Sequence, residues 1–153
     1  MTDEQAIPLA RLMAMCFRQL VDDLHVQLVE RGWRDVRESY GFVLLALRDR
    51  ATTTTELAGL LGVSKQATSK LLDAMEESRF IHRRSNADDG RVKEVALARR
   101  GHELLAVVET IYADLEAEWA AVIGEVALEQ TRTRLTRVVR ARHGGQLPRL
   151  RPT

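Results

Sequence analysis

The sequence predicts a mostly α-helical chain with one small β-hairpin, and three observations carry that expectation. Apolar residues recur at intervals of three and four along most of the 153 residues. Two short helical patterns meet at Gly62-Val63-Ser64, a tight turn closed by a residue type that caps helices. Between Phe80 and Ala98 two strand-like runs flank Asn86-Ala87-Asp88-Asp89-Gly90-Arg91, which is turn chemistry. A tight helix pair followed by a hairpin makes a winged helix-turn-helix, here with long helices on both sides.

The elements follow in order. From about residue 3 to 31, Leu9, Met13, Cys16, Phe17, Leu20, Leu24 and Leu28 mark one apolar helix face, which Gly32 can end. From about 38 to 48, Tyr40 to Leu47 is apolar almost all round, so this helix belongs in the centre of the fold. Thr53 and Glu56 fit a capping box opening a third helix that ends at Gly62. Ser64 caps a fourth, running to about Glu77. Phe80 to Arg84 and Val92 to Ala98 read as strands. From Arg99 to Ile123, Leu104, Val108, Ile111, Leu115, Trp119 and Val122 hold helical spacing, and Gly124 breaks the run. A last helix, from Glu125 to about Arg142, carries Leu128, Leu135 and Val138.

This divides the chain into dimerisation helices (1–36 and 99–143), a winged helix-turn-helix lobe (37–98) and a flexible tail (144–153). The lobe is too small to bury three long apolar stripes alone. Two chains packing their arms together would bury them, so a homodimer is expected.

Composition sets outer bounds. Hydrophobic content of 45% is ample for a core, and no apolar run approaches the roughly 18–20 residues of a membrane span. Cys16 is the single cysteine, which fits a reducing cytoplasm, and the acidic N-terminus lacks the pattern of a signal peptide. His25, His82, His102 and His143 have no metal-ligand spacing with one another or with Cys16. With no phosphate-cradling glycine loop and no nucleophile motif, neither an enzyme nor a cofactor is expected. Net charge is only +1, so any nucleic-acid contact must come from local charge. Seven arginines follow the last acid, Glu129; they suit a helix C-terminus as well as a nucleic-acid patch.

Residues 64–70 carry the sharpest functional signal. Ala67, Leu71, Leu72 and Met75 are expected to face inward, leaving Lys65, Gln66, Ser69 and Lys70 outward. A lysine in the first turn opposes the positive end of the helix dipole, and a docked phosphate would relieve it. Gln66 suits adenine, while Thr68 or Ser69 suits either base type. At the hairpin, Asp89 and Arg91 lie two apart and point to one side, so the carboxylate can aim the guanidinium into a narrow minor groove. The plainer alternative is a surface ion pair worth roughly 0–1 kcal/mol. Arg83 and Arg84 are further phosphate candidates.

These residues resemble the MarR family of winged-helix transcriptional regulators. The resemblance lies in Thr53-Thr54-Thr55-Glu56-Leu57-Ala58, Gly62-Val63-Ser64, Thr68-Ser69-Lys70-Leu71-Leu72-Asp73 and Asp89-Gly90-Arg91, with Val95-Ala96-Leu97 and Gly101 beyond. It implies base and groove contacts at Ser64 to Lys70 and at Arg91 supported by Asp89, a two-fold dimer through the terminal helices, and a pseudo-palindromic duplex operator. The chain departs from the family at Arg79, where glycine is usual, at Asn86 and Gly90 in the wing, and at Ala98 in place of a capping threonine. The resemblance also implies release from DNA, as a repressor, by a small aromatic or phenolic ligand, with Arg18, His25, Trp33 and Tyr40 as candidate contacts. Another branch senses oxidants through an early cysteine, which Cys16-Phe17 resembles, but Leu20 and Glu30 stand where that branch has tyrosines. A winged-helix protein-interaction module without DNA is the remaining alternative.

Overall fold

The computed structural model describes residues 6–85, 88, 90, 91 and 93–151. Among the described residues six helices and three short strands follow one another: α1 (Leu9–Glu30), α2 (Tyr40–Leu47), β1 (Thr52–Thr53), α3 (Thr54–Leu61), α4 (Lys65–Glu77), β2 (Ile81–Ser85), β3 (Lys93–Leu97), α5 (Arg99–Ile123) and α6 (Glu125–Arg142). Pro8 stands just before α1, a position where a missing N–H and a fixed φ are tolerated.

The core is built around α2. Tyr40, Val43, Leu44 and Leu47 are buried on one face of it, whereas Leu45 is exposed, so the helix is less enclosed than its nearly all-apolar sequence predicts. Against them pack Leu24 and Leu28 of α1, Leu57 and Leu61 of α3, Leu72 and Met75 of α4, and Leu104 and Ile111 of α5. The strands form one antiparallel sheet in the order β1-β3-β2. Thr52 and Arg83 both stand opposite Val95, whose side chain is buried. β1 has only two residues, too short to show any period in the sequence.

Local chemistry accounts for the element ends. The Thr53 hydroxyl accepts the N–H of Glu56 at 3.1 Å, giving the first half of a capping box. The Glu56 carboxylate accepts instead from the hydroxyl of Thr52. Arg79 is left-handed, with φ 63°, where α4 gives way to β2; the N–H of Phe80 returns to the carbonyl of Met75 at 2.8 Å. Gly101 is sterically required: a Cβ there would stand 2.1 Å from the Phe80 carbonyl oxygen.

The arms are less covered than the lobe. In α1 the buried residues are Val21, Leu24 and Leu28, while Leu9, Met13 and Phe17 in its first half are exposed. α6 has no buried residue; its Arg132 donates across to Glu116 of α5 at 2.6 Å and, within α6, to Glu129 at 3.2 Å. Those carboxylates raise the guanidinium pKa further.

Candidate nucleic-acid interface

The turn from α3 to α4 is closed by its own backbone. Gly62 adopts φ 71°, a left-handed conformation open to glycine at little cost, and the N–H groups of Gly62 and Val63 both return to the carbonyl of Ala58. Ser64 then caps α4, its hydroxyl accepting the N–H of Ala67 at 3.0 Å. Pairing these groups fixes where α4 begins, and so which of its residues face outward.

Lys65, Gln66 and Lys70 are exposed, and Ser69 is half-buried. Thr68 differs from expectation: it is fully buried, and its hydroxyl donates to the carbonyl of Ser64 at 2.9 Å. Ala67 takes the outward position instead. Thr68 is therefore withdrawn from any base-reading role, because its hydroxyl is satisfied inside the helix and its methyl lies in the lobe.

Arg83 is also turned inward. Its Nη2 donates to Asp73 of α4 at 2.8 Å and to the carbonyl of Ser69 at 3.4 Å, and its backbone N–H donates to Glu76 at 3.2 Å. Among the described residues its buried Nε finds no hydrogen-bond partner. Arg83 thus braces α4 against β2 and corrects the expectation of a phosphate contact. Arg84 is exposed and pairs across the hairpin with Glu94 at 3.4 Å. Arg91 is exposed in the wing turn. Asp89 lies outside the described residues, as does Asn86, so the Asp89–Arg91 clamp does too.

A second feature lies between α1, α2 and α5: an apolar cavity of about 120 Å³. Val21, Leu24, Phe42, Leu105 and Val108 contribute to its wall, with His25, Glu109 and Tyr112 among its polar groups. The Tyr112 phenol is pushed to higher pKa by burial first, then by Glu109 and Glu38. Of the four proposed ligand contacts only His25 lines this cavity. Arg18 lies outside it and pairs with Glu38 at 2.5 Å. The Trp33 ring stacks on Phe80 at 6.2 Å, and the buried Tyr40 ring meets Phe80 edge-on at 5.7 Å. Both rings are taken up by the core. Tyr112, which sequence reasoning missed, sits on a helix whose apolar stripe does not distinguish a cavity wall from solid packing. Cys16 is half-buried in α1. Among the described residues no three His, Cys, Asp or Glu side chains could hold a metal ion, and no helix is long and apolar enough to cross a membrane.

Residues 38–92, from the start of α2 to the edge of β3, match the model of the MarR family. The likeness to the MarR family thus falls on the lobe. No curated protein sequence matches the chain. Solved structures extend the likeness to the arms. The reduced form of MarR from E. coli is 23% identical, with 89% of this chain and 99% of that one covered at a TM-score of 0.75. YusO from Bacillus subtilis is 19% identical, with 87% and 93% covered and a TM-score of 0.69. A point mutant of S. aureus MepR, bound to an oligodeoxyribonucleotide, is 22% identical, with 88% and 98% covered and a TM-score of 0.64. Over 87–89% of its length, arms included, the chain therefore shares the winged helix-turn-helix fold of these structures.

Proposed function

We propose that this chain is a homodimeric, DNA-binding transcriptional regulator of the cytoplasm, acting as a repressor that a small ligand releases. The observation carrying this reading is the capped α4, which turns Lys65, Gln66 and Lys70 to solvent while Leu72 and Met75 seat it in the core. A lysine at the first helical position, beside free N–H groups and the positive end of the dipole, suits a phosphate. Gln66 can read an adenine edge in the major groove. Arg91 and Arg84 on the wing add cations one element away. The MepR relative bound to an oligodeoxyribonucleotide supports duplex DNA as the partner.

Dimerisation is supported by what one chain leaves uncovered. Leu9, Leu12 and Met13 of α1 and Val126 and Val138 of α6 form apolar surface on the arms. Burying it against a second copy would set two α4 helices on one face of a duplex, with half-sites one turn, roughly 10 bp, apart. The cavity between α1, α2 and α5 joins both arms to the lobe, so a ligand with different affinity for two lobe spacings can act there.

Selection of bound sequences from a random duplex pool tests this reading. Enrichment of a two-fold-symmetric site supports it. Absence of enrichment would move the assignment to a protein-interaction module on the same scaffold.

A further inference from the structure

The end of α6 brings the chain back to the lobe. Arg132 of α6 pairs with Glu116 of α5, and the two stand equally far on either side of Gly124, so α6 retraces α5. Past α6 the N–H of Gly145 returns to the carbonyl of Arg140 at 2.9 Å and that of Gln146 to His143 at 3.1 Å. The tail beyond meets the lobe at two places. Leu150 forms part of the wall of the apolar cavity, together with Phe17 of α1 and Leu45 of α2. Arg151 lies at the helix-turn-helix turn: its Cδ and Nη1 are 3.6 and 3.7 Å from where a Cβ on Gly62 would stand.

Charge and tethering agree with this placement. Gly62 caps the C-terminus of α3, and a guanidinium there complements the negative end of the helix dipole. The cavity lining includes Glu38 and Glu109, while the tail carries Arg149 and Arg151. Leu150 keeps 61% exposure, so its seat is shallow. A short tether offers it at an effective concentration on the order of millimolar, enough for a weak contact to be populated yet displaceable.

We infer that residues 147–151 are a tethered occupant of the apolar cavity, with Leu150 closing its mouth and Arg151 holding the tail at the turn that leads into α4. A small apolar ligand must then displace the tail, and its entry releases Arg151 from the helix-turn-helix. The inference rests on the reading of this cavity as the effector site and names its regulator, the chain's own C-terminus.

The test is a fluorescence titration with N-phenyl-1-naphthylamine, a neutral apolar probe, and needs no DNA. Three proteins are compared: the full chain, a chain ending after Gln146, and full-length Leu150→Asp. Both altered chains should bind the probe roughly threefold or more tightly, as expected when a self-occupied fraction is freed. Equal or weaker binding after truncation would overturn the inference, as would probe uptake by none of the three. A gain on truncation that Leu150→Asp does not reproduce would also overturn it, since Leu150 would then not be the occupant. Failure of the regulator reading shows separately, as absence of a selected DNA site.

Discussion

Arg100 grips both carboxylate oxygens of Asp35, at 2.8 and 3.0 Å, and so ties the first turn of α5 to the connection between α1 and α2. The same guanidinium donates to the carbonyl of Ser78 at the end of α4, at 2.6 Å, and lies over the rings of Phe80 and Trp33. One side chain thus joins both arms to the end of α4. Arg100→Met should keep the ring packing but lose the bidentate pair. Because both partners are more than a third exposed, solvent screening holds the expected loss to about 1–2 kcal/mol in a denaturant titration.

The same pair predicts a pH dependence. The hydrogen bond from Arg100 holds the Asp35 carboxyl below its ordinary value, so its folded-state pKa is depressed. Its contribution is present above the unfolded value of about 3.9 and is lost as pH falls through the folded one. Asp35→Asn should therefore be less stable than the parent at neutral pH, with the difference shrinking in acid. A difference constant from pH 7 to pH 3 would remove Asp35 from this role.

Two backbone substitutions should act in opposite directions. Gly101→Ala forces a Cβ against a backbone oxygen that cannot swing aside, and should cost about 3 kcal/mol or more. Arg79→Gly relieves a left-handed non-glycine residue, and should gain about 0.5–1 kcal/mol in thermal or denaturant unfolding.

Inside α4 the account separates capping from reading. Ser64→Ala should destabilise the lobe by about 1 kcal/mol through loss of the cap. Thr68→Val removes a donor whose acceptor also takes the Thr68 N–H, so it should cost less than about 1 kcal/mol and leave sequence preference unchanged. Gln66→Ala should relax preference at one base pair by roughly 1–3 kcal/mol of discrimination. If Thr68→Val changed the selected sequence while Gln66→Ala did not, the facing of α4 would be wrong.

Much of this was legible in the sequence because it depends on neighbours within four residues. The caps at Thr53 and Ser64, the stop at Gly62 and the apolar run of α2 are local statements. The misread positions depend on partners that periodicity does not record. Alanine counts as apolar and threonine as polar, so the sequence pattern alone places Ala67 inside and Thr68 outside. The carbonyl of Ser64 satisfies the threonine hydroxyl and reverses that order. Arg83 reads as a surface cation until Asp73, ten residues earlier, is placed beside it. Trp33 and Tyr40 resemble ligand aromatics until Phe80 arrives between them from the far side of α4.

The most direct test of the central claim is the affinity for the selected duplex measured against salt concentration, for the parent and for Lys65→Ala. Counterion release predicts a steep linear fall of log K with log salt, and a slope shallower by roughly 0.9 in the variant, one phosphate contact having been lost. A flat salt dependence, or an identical slope in both proteins, would contradict α4 as the helix that meets DNA.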